Sequence, residues 1–165
     1  MTTAIYPGSF DPITMGHLDI VTRASEMFEQ VILAVVKNPQ KKPTIEIEER
    51  LNLARKSVPH LKNVQVCAFE GLTVNLAQVH NARIIIRGLR AVSDFEKEFA
   101  MSQMNKRLCP QVETFFMMAG MAYQFLSSSM TNEVARLGGC IDDLVPEPVR
   151  QYYQAHAALT GGVCE

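Results

Sequence analysis

The sequence has little of what marks a secreted, membrane-embedded or metal-caged protein. Its four cysteines, Cys67, Cys109, Cys140 and Cys164, are scattered, with no C-x-x-C pair. That spacing excludes a cysteine zinc site and a disulfide framework, and leaves the reduced thiols of a cytoplasmic protein as the expectation. The first residues, Met1-Thr2-Thr3-Ala4-Ile5-Tyr6, carry no basic segment and no long apolar stretch, so no signal peptide is expected. No apolar run reaches membrane-spanning length, so no membrane partner is expected. Positive charge is not in surplus: 16 Lys and Arg stand against 17 Asp and Glu. That balance argues against nucleic acid as a partner. There is no internal repeat, low-complexity tract or linker. There is no Walker loop, no G-x-G-x-x-G, and no Asp/Glu/His cluster at metal-cage spacing.

What is present is enough apolar sequence for one core. A chain of 165 residues, 47% hydrophobic and 20% charged, fits a single domain over 1–165. Strand and helix patterns alternate along it. Strands are predicted at Thr3–Tyr6, Gln30–Val36, Val64–Phe69, Arg83–Arg87 and Val112–Met118. Helices are predicted at Gly16–Phe28, Glu46–Val58, Thr73–His80, Ser93–Leu108, from Ser127–Ser129 to Gly138-Gly139, and at Pro146–Leu159. Ser93 or Asp94 is expected to cap the fourth helix, and the Gly161–Glu165 tail is expected to be loose. Strands separated by helical crossovers predict an α/β fold with a doubly wound, five-stranded parallel sheet, Rossmann-like in form.

The densest signal is Tyr6-Pro7-Gly8-Ser9-Phe10-Asp11-Pro12-Ile13-Thr14-Met15-Gly16-His17, a Gly/Pro turn between the first strand and the first helix. Free N–H groups at a helix N-terminus suit a phosphate. Gly16 is expected to let the backbone approach, and His17 to offer a ring N–H donor. Ligands of such sheets bind beyond the carboxyl ends of the strands. Ser9–His17, Lys37–Lys42, Gly71–Asn75, Arg87–Arg90 and Tyr123–Ser129 each follow one of the five strands. Together they predict a cleft lined by Lys41, Lys42, Arg87, Arg90 and His17, cationic although the chain is slightly acidic, and suited to a polyphosphate. Read one at a time, the same residues have plainer roles. His17 could be a helix cap, Lys41-Lys42 a solvated loop, Arg87 and Arg90 members of ion pairs, and Ser127–Ser129 an N-cap. His60, His80 and His156 read as surface or structural.

YPGSFDPITMGH resembles the T/H-x-G-H signature of the nucleotidyltransferase superfamily. With the second-loop lysine, IIIRGLRAVSDFEKE and Phe125-Leu126-Ser127-Ser128-Ser129, the chain resembles the bacterial phosphopantetheine adenylyltransferase family from Ala4 to about Tyr152. The resemblance implies transfer of AMP from ATP to 4'-phosphopantetheine, with Mg²⁺, giving dephospho-coenzyme A and pyrophosphate. It implies catalytic roles for His17 and Lys41. It implies acceptor contacts from Ser9, Lys41, Thr73 and Arg87. ATP would be held by Ser9, Phe10, His17, Gly88, Leu89, Arg90, Glu98, Tyr123, Gln124, Phe125, Leu126, Ser127, Ser128 and Ser129. It also implies a cytoplasmic homohexamer, with coenzyme A as feedback inhibitor. Ser9 stands where the family often has Thr, Leu126 where Ile is common, and Glu46 where Thr often caps a helix. Two alternatives stay open: a sister enzyme charging another phosphate, and a nucleotide sensor without turnover.

Overall fold

The structure is a computed structural model that describes residues 2–37, 42–90 and 92–157. Five strands, β1 (Thr3–Gly8), β2 (Gln30–Val36), β3 (Val64–Phe69), β4 (Ile84–Leu89) and β5 (Glu113–Met118), form one parallel sheet in the order β3-β2-β1-β4-β5. The helices are α1 (Met15–Met27), α2 (Ile47–Ser57), α3 (Thr73–Val79), α4 (Val92–Leu108), α5 (Ser128–Arg136) and α6 (Glu147–Ala157), with a 3₁₀ turn at Met121–Tyr123. This is the predicted doubly wound sheet, with the reversal of strand order at β1.

Side-chain alternation along the central strands builds a core on each face. Ala4 and Tyr6 of β1 and Val31, Leu33 and Val35 of β2 pack with Ile20, Val21 and Ala24 of α1, Leu51 and Ala54 of α2, and Val149 of α6. Ile5, Ile32 and Ala34 face the other way, onto Val74, Leu76 and Ala77 of α3. Strands buried on both faces need apolar residues at every position, which is why QVILAVV is legible as a strand.

Two boundaries shift in ways that matter for the site. β1 continues through Pro7 and Gly8 because its pairing with β2 runs to Gly8 opposite Val35. β4 continues through Arg87, Gly88 and Leu89, paired with Phe116, Met117 and Met118. The expectation that Arg87–Leu89 follow the fourth strand is therefore corrected: they are its last residues, and only Arg90 lies beyond. Asp94 lies within the first turn of α4 rather than capping it. Its carboxylate accepts from Arg90 Nε and Nη2 at 3.0 and 3.2 Å. The side chain of Ser93, Lys41 and the 161–165 tail lie outside the described residues.

Candidate active site

The turn after β1 is held from several sides. Phe10 has a φ of 42°, and its ring is buried. The ring lies so close to Gly8 that a Cβ there would meet it at 2.9 Å, so glycine is required at that position. The same ring meets Tyr6 and His17 edge-on, with centroids 5.4 and 5.0 Å apart. Phe10 is therefore a core residue. Asp11 accepts from the backbone N–H groups of Thr44 and Ile45 at 2.8 and 2.9 Å. Asn132 Nδ2 donates to the Asp11 carbonyl at 2.9 Å, and the Tyr153 hydroxyl donates to Asn132 Oδ1. The loop thus rests on α5, α6 and the entry to α2.

His17 is set by a reciprocal cap with Thr14, the N-cap of α1. The Thr14 backbone N–H donates to His17 Nδ1 at 3.0 Å, and the Thr14 hydroxyl oxygen lies 3.0 Å from the same nitrogen. A backbone N–H can only donate, so Nδ1 is the unprotonated nitrogen and Nε2 carries the proton. Burial, with Arg90 adding, lowers the ring's pKa to about 4, so at neutral pH His17 is an uncharged donor through Nε2. The cap reading and the donor reading hold together, because one nitrogen serves each.

The helix end is less open than its sequence suggests. The Thr14 N–H is taken by His17, and the Met15 N–H donates to the Leu144 carbonyl at 2.9 Å. The space above Gly16 belongs to Tyr123, whose Cβ would lie 3.3 Å from a Cβ at position 16. Gly16 therefore lets the loop carrying Tyr123 come close on the side where a Cβ would stand.

A cavity of about 330 Å³ opens at the carboxyl ends of the strands, lined among others by Ser9, Val36, Thr73, Arg87, Glu98 and Asn105. Three of the four predicted acceptor contacts, Ser9, Thr73 and Arg87, meet there. The fourth, Lys41, lies outside the described residues. Arg87 Nε and Nη2 donate to the two Glu98 oxygens at 2.6 and 2.7 Å, and Nη1 donates to the Pro7 carbonyl at 2.9 Å. The ion pair and its hydrogen bonds hold the guanidinium above its ordinary pKa despite the opposing effect of burial. Both Glu98 oxygens are engaged in this way, so its carboxylate aims Arg87.

The predicted nucleotide side gathers along the loop after β5. Arg90 Nη1 donates to the Leu126 carbonyl at 3.2 Å. Leu89 and Leu126 bury their side chains. Gly88 packs below Ile20 and Tyr6, where a Cβ would meet Ile20 Cδ1 at 2.5 Å. Tyr123 and Gln124 are half-buried, and Phe125 is exposed. Ser127 is the N-cap of α5, its oxygen accepting from the Met130 N–H at 3.1 Å. The Ser128 hydroxyl donates to the Pro12 carbonyl at 2.8 Å. Ser129 is exposed, and its hydroxyl has no protein partner among the described residues. Asp19 and Arg23 of α1 fasten this loop: Asp19 accepts from the Gly120 N–H, and Arg23 donates to Asp19 and to the Met118 carbonyl.

Sequence reading missed Arg50, Asn132 and the Asp19–Arg23 pair. Arg50 had a legible signal. It falls three residues after Ile47 and four before Ala54, on the apolar stripe of α2, and is 4% exposed. A charged residue on a buried stripe asks for a reason. Asn132, Asp19 and Arg23 are partly buried polar residues on helices, and nothing local marks their partners.

Known proteins resemble this chain over most of its length. Residues 5–134 match the cytidylyltransferase-like family. The phosphopantetheine adenylyltransferase of Carboxydothermus hydrogenoformans is 55% identical over 149 residues, covering 90% of this chain and 92% of that one. That of Heliobacterium modesticaldum is 56% identical over 149 residues, covering 90% and 89%. That of Desulforudis audaxviator is 50% identical over 161 residues, covering 98% and 99%. A crystal structure assigned as a nicotinate-nucleotide adenylyltransferase from Vibrio parahaemolyticus superposes with a TM-score of 0.72 at 17% identity, covering 94% and 93%, and so shares the fold. With identity of this order running across nine-tenths of the chain, the protein belongs to the cytidylyltransferase-like family and, within it, to the phosphopantetheine adenylyltransferases.

Proposed function

We propose that the cleft joins ATP and 4'-phosphopantetheine so that a phosphate oxygen of the acceptor attacks the α-phosphorus of ATP. One acceptor O–P bond forms, the bond from the α-phosphorus to the bridging oxygen breaks, and pyrophosphate leaves with that oxygen. The product is dephospho-coenzyme A. A phosphate monoester with a second pKa near 6 is already largely dianionic at neutral pH, so no general base is needed. The protein's part is positioning and stabilisation of charge on the α-phosphoryl oxygens.

The observation that carries this reading is the neutral His17 with Nδ1 locked by Thr14. Its Nε2–H is a preset donor for an α-phosphoryl oxygen, and it brings no charge that would tighten ground-state binding. Arg87, aimed by Glu98, grips the acceptor phosphate in the cavity. Ser9 and Lys41 meet the incoming phosphate, and Thr73 borders the pantetheine arm. Arg90 and the Tyr123–Ser129 stretch hold the nucleotide, with Ser129 offering the free hydroxyl.

Among the described residues no three His, Cys, Asp or Glu side chains gather into a metal cluster. That donor set suits a magnesium ion held mostly by the nucleotide's own phosphate oxygens. Bound there, the ion would screen charge on the phosphates that leave. Self-association, up to the hexamer expected from the resemblance, is supported by an exposed apolar surface on α4, where Phe95, Phe99, Met104 and Leu108 are each about half-exposed. Coenzyme A shares both halves of the product, so it would compete for the same cleft as a feedback inhibitor. Among the described residues no helix is long and apolar enough to cross a membrane; the cytoplasmic site of action is taken from the resemblance to the bacterial enzymes.

The test is pyrophosphate release from Mg-ATP with and without 4'-phosphopantetheine. Release that requires the acceptor, with dephospho-coenzyme A as product, is expected. ATP binding without acceptor-dependent release would overturn the assignment and favour a sister acceptor or a sensor.

A further inference from the structure

Two arginines reach the end of β1 from opposite sides. Arg87 of β4 donates to the Pro7 carbonyl at 2.9 Å. Arg50 of α2 donates through Nη1 to the Ser9 carbonyl at 2.7 Å, with Val36 O, at the end of β2, 3.5 Å away. Their electrostatics differ. Arg87 is matched by Glu98 and Arg90 by Asp94. Arg50 has no carboxylate within ion-pair distance among the described residues, and its Nε is buried without a hydrogen-bond partner there. A nearly buried guanidinium with carbonyl partners alone is costly to keep. Ser9 and Val36 both line the cavity, so the unmatched charge lies directly behind its wall.

We infer that Arg50 is a positioning residue for the polyphosphate: a buried cation that turns the Ser9–Phe10 peptide and leaves positive potential at the cavity for the nucleotide's phosphates. The peptide is planar and trans, so drawing the Ser9 oxygen toward Arg50 points the Phe10 N–H the opposite way. No protein acceptor takes that N–H among the described residues. Carbonyl oxygens at the strand ends would repel a phosphate, and Arg50 draws two of them aside. Its charge is transmitted through a low-dielectric wall, where it is felt more strongly than at the surface. The anion that neutralises it is the ligand itself.

This inference rests on the proposed phosphate cleft, and the test separates the two. Pyrophosphate and adenosine are titrated into the full-length wild-type protein, Arg50→Gln and Arg50→Lys. Gln keeps an amide donor and loses the charge, whereas Lys keeps the charge. Pyrophosphate affinity is expected to fall at least tenfold in Arg50→Gln and to stay within about threefold in Arg50→Lys, with adenosine affinity unchanged in both. A merely structural role would weaken both ligands together or neither, and either result overturns the inference. If Arg50→Gln does not fold, loss of pyrophosphate binding beyond tenfold in folded Arg50→Lys overturns it. Wild-type protein that binds no pyrophosphate would overturn the cleft assignment as well.

Discussion

The Thr14 backbone N–H donates to Nδ1 of His17 at 3.0 Å, and this one bond ties helix capping to chemistry. It consumes the ring nitrogen that faces the backbone and fixes the proton on the other. Replacing His17 by Ala removes both functions. The variant is expected to lose kcat by a hundredfold or more, the scale seen when one transition-state donor is removed. ATP and acceptor affinities should stay within a few-fold. Loss of the cap should cost about 1 kcal/mol of stability. Single-turnover rates and ligand titrations check this, and an unchanged kcat would refute the role.

The same ring predicts a pH dependence. Its pKa is lowered from 6.5 to about 4, so between those values the unfolded chain holds a proton that the native site does not. Stability therefore rises with pH across that window. The contribution is complete above about pH 6.5 and is lost as pH falls toward 4. Urea unfolding from pH 4 to 8, wild type against His17→Ala, should show a slope that the variant lacks. Turnover should not require protonation of His17, so no loss of kcat from this group is expected between pH 6 and 8.

Arg87→Ala should act on the acceptor. KM for 4'-phosphopantetheine is expected to rise at least tenfold, with KM for ATP within about threefold. Glu98 would lose the guanidinium that both its oxygens accept from, in a partly buried setting, at a cost of about 1–2 kcal/mol. The double variant with Glu98→Gln should recover part of that stability but none of the acceptor affinity. Steady-state kinetics and thermal melting separate the two effects.

Gly16→Ala places a methyl group 3.3 Å from Tyr123 Cβ. Alanine favours a helix by up to about 1 kcal/mol over glycine, so unfolding should be little changed or slightly delayed. The loop carrying Tyr123 must shift, and ATP affinity is expected to fall several-fold while acceptor binding holds. Equal ATP affinity in variant and wild type would show that the loop yields without consequence.

Much of this protein was legible before any coordinates. β2 and β3 fall at their predicted residues, and α1 and α2 within one residue at each end. The reason is that an apolar run covered on both faces, or a stripe at helical spacing, is a local pattern. The five site segments follow from a rule about parallel sheets, and T-x-G-H marks its own turn. The tertiary structure decided what those residues are bonded to. Arg87 and Arg90 were legible either as cations of the cleft or as members of ion pairs, and only the fold names their partners, Glu98 and Asp94, both brought up by α4. Gly16 read as a place of close backbone approach, and only the fold shows that Tyr123, from more than a hundred residues away, stands where its Cβ would be. Arg50 drew no reading from the sequence, and burial behind Ser9 makes it a cation without a counter-charge among the described residues. Backbone conformation depends on near neighbours and so can be read along the chain. Electrostatic pairing depends on which groups share a few ångströms of low-dielectric space, and only the packed fold sets that.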